Sequence, residues 1–159
     1  MRTVPLAELP GRPCPVAATL ELVGERWSLL VVREVALGEH RFSGIVAGTG
    51  APRDRVAARL RSLTEAGVLE RRQYQSGPDR FDYHLTGSGR DLLPVLGALL
   101  TWGRAHAVAP DDPERDHHRE TLRLLRDRDQ TPTDPSTDPA LDLVPDLVPD
   151  PTGTIEETP

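Results

Sequence analysis

Apolar residues recur at helical spacing over the first hundred positions, and glycine and proline interrupt the pattern where helices begin and end. Trp27, Val31 and Val35, for example, lie on one face of a helix that Gly38 would terminate. Pro52 suits the first turn of another helix. The pattern predicts four helices, over residues 15–23, 25–37, 41–47 and 52–66, followed closely by glycines at Gly24, Gly38, Gly48 and Gly67.

Two short strands and a last helix follow these four helices. Residues 68–74 and 80–85 alternate in character and are predicted β-strands joined by a Gly-Pro-Asp turn. Thr86 is suited to cap a long helix that extends to about His106 and is kinked at Pro94. Four helices, a hairpin and a helix in this order predict a mainly α fold with a small β-hairpin wing, the winged helix-turn-helix.

Charge and proline content divide the chain into three parts. The 159 residues carry a net charge of −6, but residues 1–109 sum to +3 and residues 110–159 to −9. Nine of the 16 prolines lie in the acidic part, which favours disorder apart from a short charged helix over 114–128. The predicted organisation is an N-terminal arm (1–12), a folded domain (13–109) and an acidic tail (110–159). The tail is either a solubilising appendage or an intramolecular competitor for the basic domain.

The fourth predicted helix has the layout of a helix that reads DNA. Val56, Leu60 and Leu63 form an apolar stripe that would face the core. Its other sides carry charged and small residues, namely Arg53, Asp54, Arg55, Ala58, Arg59 and Arg61. We expect Arg55 and Arg59 to read base edges, with Asp54 accepting from cytosine. Arg53 and Arg61 would hold phosphates, and a solvated charged helix face is the alternative.

The predicted hairpin adds a second basic element. Arg71, Arg72 and Arg80 flank its turn, where a wing commonly lies along the DNA backbone or enters the minor groove. All 19 basic residues of the chain are arginine, whose planar guanidinium suits phosphate and guanine edges. An ordinary solvent-exposed hairpin is the alternative, and the aromatic residues of the strands are expected to pack rather than to stack on bases.

The last predicted helix is apolar on more than one stripe. A helix that packs only on its own small domain shows one apolar face, so the excess indicates a homodimer, with a monomeric buried helix as the alternative. The candidate interface residues are Leu92, Leu96, Leu99, Leu100 and Trp102.

Cys14 is the single cysteine, which excludes an internal disulfide and fits a reducing compartment. Its position just ahead of a helix favours a reactive thiolate and makes it a candidate redox sensor, while an inert packed residue is the alternative. A small apolar effector would fit near Trp27, Phe42 and Trp102, which are otherwise plain core residues. No metal is expected at His117 and His118, because adjacent histidines on a helix point apart.

The sequence also argues against an enzyme and a membrane protein. It contains no nucleophile elbow, phosphate loop or paired-carboxylate pattern, and no cofactor is expected. The apolar run 92–100 is far shorter than the ~20 residues that span a bilayer, and residues 1–13 lack the apolar segment of a signal peptide. A cytoplasmic, nucleoid-associated protein is therefore expected.

Several short runs, taken in order, resemble the HxlR-type regulators. They are Cys14-Pro15-Val16, Gly24, Arg26-Trp27, Arg33-Glu34, Arg41-Phe42, Ala58-Arg59-Leu60-Arg61, Glu65-Ala66-Gly67-Val68, Leu85-Thr86 and Gly89-Arg90. The resemblance covers about residues 12–107 and implies a MarR-like winged-helix homodimer that binds inverted repeats in double-stranded DNA. It also implies that the first and last helices form the dimer and that the fourth helix enters the major groove.

The chain departs from this family at the start of the fourth helix. Gly50-Ala51-Pro52 stands where many relatives carry a serine or threonine cap, so the pattern leaves open which arginine reads bases. A winged-helix protein that binds another protein and a ligand sensor are the alternative functions. The arginines at 53, 55 and 59, together with those of the wing, favour DNA over the protein-binding alternative, which does not require cations there.

Overall fold

The computed structural model describes residues 1–77 and 80–114. An antiparallel hairpin follows four helices and precedes two more in the described residues, which confirms the predicted winged helix-turn-helix. A 3-10 turn at Leu6–Glu8 precedes α1 (Pro15–Val23), α2 (Ser28–Leu37), α3 (Phe42–Thr49), α4 (Arg53–Glu65), β1 (Leu69–Gln75), β2 (Arg80–Leu85), α5 (Gly87–Arg90) and α6 (Leu93–His106).

The hydrophobic core lies between α2, α3, α4 and the base of the hairpin. Val56, Leu60 and Leu63 of α4 are at most 1% exposed, so the predicted apolar stripe of this helix is confirmed. It packs with buried residues of the other elements, among them Val31, Val32, Ile45, Val68, Leu69 and Leu93. Burial on one side fixes the rotation of α4 about its axis and leaves the opposite side in solvent.

The start of α2 differs from the prediction by three residues. Residues 25–27 form the turn after α1, and Trp27 has a left-handed backbone with φ of 80°. This conformation is uncommon outside glycine and cannot belong to a right-handed helix. Trp27 nevertheless packs against the core from the turn, which explains why it matches the helical periodicity without being helical.

The end of α3 also differs from the prediction. The helix continues through Gly48 to Thr49, and Gly50, with φ of 63°, is its C-cap. Gly48 serves a different purpose, because a Cβ there would lie 1.9 Å from Oε2 of Glu34 on α2. The glycine allows α3 to pass close to a buried carboxylate.

The long last helix predicted from the sequence is in fact two helices. Thr86 caps α5 as predicted, accepting a hydrogen bond from the Gly89 N–H at 3.1 Å. The chain then breaks at 91–92, and Pro94 lies in the first turn of α6. Proline lacks an N–H and clashes with the carbonyl four residues earlier, so it starts a helix more readily than it continues one.

The hairpin is fastened to the start of α3 by a third short segment. β1 and β2 pair antiparallel, Leu69 opposite Leu85, with a register shift between Gln73 and Gln75. The Tyr83 N–H donates to the carbonyl of His40 at 2.9 Å, and residue 41 bridges to residue 82. The connection between α2 and α3 therefore lies along the outer edge of β2.

The described part of the chain contains no helix long and apolar enough to cross a membrane. The predicted tail helix at 114–128 and the predicted disorder after it fall almost entirely outside the described residues, as do two residues of the hairpin turn.

Candidate nucleic-acid interface

The exposed side of α4 begins with a charged pair. The side chains of Asp54 and Arg55 are 77% and 68% exposed, and the Arg55 Nε lies 3.6 Å from Oδ2 of Asp54. Ala58, one turn later, is half-buried and leaves room for close approach. The first two turns of α4 thus present a guanidinium, a carboxylate and a small residue to solvent.

The side chain of Arg59, one turn after Arg55, lies against the turn between α1 and α2. Its side chain is 20% exposed, and its Nη1 is 3.4 Å from Oε2 of Glu25. On the helix it is about 100° from Ala58 and close to the buried stripe. Arg59 follows Arg55 by one turn on the same flank of α4, so the two arginines differ in exposure and in partner rather than in the face they occupy.

Aromatic rings hold other guanidinium groups beside the start of α4. Arg53 lies over the ring of Phe42 and Arg41 over the ring of Tyr74, at 4.9 and 5.0 Å from the centroids. On the wing, the Arg71 guanidinium lies 3.3 Å from the centroid of the Phe81 ring. Such contacts orient a cation without neutralising it. They place positive charge from the N-cap of α3, from α4 and from the wing close together around Phe42 and Phe81.

Two concave surfaces lie among these side chains. The first, called here the basic groove, has a volume of about 350 Å³ and is lined by Arg41, Phe42, Ser43, Tyr74, Arg80 and Phe81. The second, of about 330 Å³, lies between α4 and the wing, and its lining includes Arg61, Arg71 and Tyr83. The sequence interpretation missed Arg41, Ser43 and Tyr74, although the basic-aromatic pair Arg41-Phe42 at a helix start was a visible signal.

Ion pairing divides the arginines of this region into two groups. The side chains of Arg59 and Arg72 have carboxylate partners, Glu25 and Glu70. Within the described residues, five others have no carboxylate at ion-pair distance: Arg41, Arg53, Arg61, Arg71 and Arg80. Glu65 lines the second concave surface together with Arg61 and Arg71, but no described carboxylate forms an ion pair with any of the five arginines.

A partly buried ion pair fixes the turn that leads into α4. Glu34, 6% exposed, accepts from Arg33, whose Nη2 also donates to the carbonyl of Gly48 at 3.0 Å. Thr49 accepts a hydrogen bond from the Ala51 N–H at 3.3 Å. These bonds join α2 to the end of α3 and thereby position the start of α4.

Two stacked imidazoles lie at the base of the wing. The rings of His40 and His84 are 4.3 Å apart, and His40 Nδ1 lies 3.0 Å from the Tyr83 carbonyl. Burial, together with the nearby charges of His40 and Arg72, lowers the pKa of His84 despite the opposing carboxylates. Protonation is therefore disfavoured where the wing joins the helical domain.

The comparisons with known proteins agree with this geometry. Residues 22–111 match the family described as HxlR-like helix-turn-helix. The chain belongs to this family. An HTH-type transcriptional regulator of Mycobacterium tuberculosis is 43% identical over 98 residues, which are 62% of this chain and 62% of the relative. This HxlR-like chain thus matches less than two thirds of that relative's length.

Solved structures of regulators share the fold. PA1607, described as a transcription factor candidate, is 40% identical with a TM-score of 0.58, over 62% of this chain and 69% of that one. The redox regulator HypR, in its oxidized form, is 28% identical with a TM-score of 0.53, over 60% of this chain and all of HypR. The resemblance inferred from the sequence runs is confirmed.

In this HxlR-like chain, α6 has both a buried and an exposed apolar side. Leu96 is 8% exposed and belongs to the core, against which Leu92 also packs. Leu99 and Trp102 are 49% and 61% exposed, and Leu100 is half-buried. The five predicted interface residues are therefore divided between the core and the surface. Three more apolar residues are exposed on α1 and α6, namely Val16, Leu20 and Val95.

The remaining predicted sites are placed as follows. Cys14 is the N-cap of α1 and is partly exposed, and its Sγ accepts the Ala17 N–H at 3.4 Å. Neither of the two concave surfaces that Phe42 lines includes Trp27 or Trp102, so an apolar effector site among the three remains a prediction. No cluster of three metal-binding side chains occurs in residues 1–77 and 80–114, and His117 and His118 lie outside them.

Proposed function

We propose that this HxlR-like protein is a transcription regulator that binds duplex DNA with α4 in the major groove and the hairpin along the backbone. The observation that carries the proposal is the group of five arginines, on α4, on the wing and just ahead of α3, that have no ion-pair partner among the described residues. Contacts to phosphates supply most of the affinity of DNA-binding proteins, and these contacts require cations that are not already paired with carboxylates. The regulator would act on the nucleoid in the cytoplasm.

The assignment of individual contacts follows from exposure and pairing. Asp54, Arg55 and Ala58 face away from the core, so we assign them to base edges. Exposed arginines that have no carboxylate partner in the described part of the chain are assigned to phosphates: Arg53, Arg61, Arg71 and Arg80. We assign a positioning role to Arg59, because its pair with Glu25 ties α4 to the turn before α2. Arg72 is held in the same way by Glu70.

We further propose that the protein acts as a homodimer on an inverted repeat. Support comes from Leu99 and Trp102, two large apolar side chains left about half or more exposed on α6. Exposed apolar groups of this size are stabilised by a partner. A twofold axis beside α6 would place two recognition helices in successive major grooves, about 34 Å apart.

Selection of bound sequences from a random duplex pool tests these proposals together. Purified full-length protein is expected to enrich two inverted half-sites about one DNA turn apart, and Arg55→Ala to weaken that enrichment. Arg12→Ala removes the same side chain and charge from the exposed N-terminal arm and is the matched control. Failure to retain any duplex at low ionic strength would exclude DNA binding, and an asymmetric site would exclude the twofold dimer.

Redox control is a second, separate proposal. It is supported by the partly exposed sulfur of Cys14 at the start of α1 and by the similarity to HypR, a redox regulator. With one cysteine, a response requires a bridge between two copies, a bound thiol or a sulfenic acid. Alkylation of Cys14 should change DNA affinity; equal affinity before and after complete alkylation would end this idea.

A further inference from the structure

The negative charge of the acidic tail is concentrated in residues 129–159, called here the acidic repeat. This segment holds eight acidic residues and no lysine, arginine or histidine. The preceding residues 115–128 hold five arginines and three acidic residues. Five carboxylates of the repeat recur at every fourth position, namely Asp134, Asp138, Asp142, Asp146 and Asp150. The repeat is therefore a polyanion that has no cation of its own.

The folded domain offers such a polyanion a matching surface. The five arginines without an ion-pair partner among the described residues are all exposed. Two of them line the basic groove, whose lining contains no acidic residue, and two line the concave surface between α4 and the wing, together with Glu65. A guanidinium binds a carboxylate through paired hydrogen bonds, as it binds a phosphate. We propose that the acidic repeat binds these arginines and competes there with DNA phosphates, a regulation that rests on the proposed function.

The length of chain after Glu114 allows the repeat to reach this surface. Asp142, near the middle of the repeat, follows Glu114 by about 30 residues, and a random coil of that length spans roughly 30 Å. A compact domain of about 110 residues has a radius of gyration of about 13 Å. The span is therefore comparable with the width of the domain, so the position of α6 relative to α4 does not prevent the contact.

Tethering makes even a weak contact effective. A segment that binds with a dissociation constant of about 0.2 mM as a free peptide, held at an effective concentration of about 1 mM, lowers the apparent affinity for a competitor about sixfold. Salt screens exposed charges from one another over about 10 Å at 0.1 M. The competition should consequently be strongest at low salt and should affect specific and random DNA alike, because both present phosphates.

The first test changes the five aspartates of the repeat to asparagine in the full chain. Fluorescence anisotropy should show about sixfold tighter binding to both the selected and a scrambled duplex at about 50 mM salt. The gain should fall below about twofold at about 300 mM salt. A variant with five threonines of the same segment changed to serine keeps the charge and is the matched control, at Thr131, Thr133, Thr137, Thr152 and Thr154. Equal affinities of the asparagine variant and the wild type at low salt would overturn the proposal.

A second test separates binding to the arginine surface from simple repulsion between the tail and DNA. The asparagine changes are combined with Arg61→Gln and Arg80→Gln, one arginine from each concave surface. Competition at these arginines predicts that the gain shrinks in this background, whereas it should persist with Arg12→Gln on the N-terminal arm. A gain that survives Arg61→Gln and Arg80→Gln would overturn the proposal, since repulsion of DNA or pairing with the arginines of residues 115–128 would then explain it.

The third test contains no DNA. A labelled peptide of residues 129–159 is titrated with the asparagine variant, and its anisotropy should rise with a submillimolar dissociation constant at low salt. Arg61→Gln with Arg80→Gln should weaken this binding, and thermal unfolding checks that each variant folds. A peptide that does not bind would overturn the contact even if the protein binds DNA. Peptide binding by a protein that retains neither duplex would instead overturn the proposed function and leave the contact established.

Discussion

The contrast between Arg55 and Arg59 on the same helix gives the sharpest prediction. Arg55→Ala removes a side chain that is 68% exposed and whose partner, Asp54, is also exposed. Surface pairs of this kind contribute about 0.2–1 kcal/mol at most, so the free energy of unfolding should hardly change. A lost bidentate contact to a base edge costs about 1–3 kcal/mol, which is about 5- to 150-fold in affinity per half-site.

Arg59→Ala should show the opposite balance. Its side chain is 20% exposed and paired at 3.4 Å with Glu25, which is 70% exposed. The pair and the packed stem together should be worth about 1 kcal/mol, which lowers the Tm of a domain of this size by about 4–8 °C. Affinity for DNA should fall less than in Arg55→Ala, because no base contact is removed.

The assay combines fluorescence anisotropy with thermal unfolding of both variants. Affinity for the selected duplex divided by affinity for a scrambled duplex gives the specificity ratio, measured at one salt concentration. This ratio should collapse for Arg55→Ala and change little for Arg59→Ala. If Arg59→Ala loses specificity at unchanged Tm while Arg55→Ala keeps it, the assignment made from exposure and pairing is wrong.

Three other predictions follow from single contacts. Leu99→Glu should convert a dimer to monomers in light scattering, whereas Thr101→Glu on the same helix should not; a monomeric wild type would contradict the dimer. Gly48→Ala should lower the free energy of unfolding in urea by about 1–3 kcal/mol, because its Cβ would displace the buried, paired carboxylate of Glu34. Because the pKa of His84 is lowered in the fold, the unfolded chain binds more protons below pH 6.5. The contribution of neutral His84 to the free energy of unfolding is therefore present above that pH and lost as pH falls. His84→Asn should make the free energy of unfolding fall less between pH 7.5 and 5.5. A pH profile of stability identical to that of the wild type would refute this prediction.

Much of the candidate site could be predicted from the sequence because the pattern that defines α4 is local. Its apolar stripe, recurring every three to four residues, fixes which side faces the core, and Arg55 then falls on the exposed side. The same reasoning placed Arg59 on a flank but could not detect Glu25, which is 34 residues away in the chain. Arg41 and Tyr74 were missed for the same reason, since their contact joins two segments that no sequence period relates.

The sequence by itself determined which helices and strands this protein forms. Helical periodicity, the threonine cap and the glycines and prolines at helix ends each act over only a few residues. It also determined the family, through short runs in a fixed order. Only the tertiary structure decided the role of each residue that lies where a helix begins or ends. Gly48 admits a carboxylate, Trp27 turns the chain and Pro94 begins a helix, because these roles depend on which distant segment lies alongside.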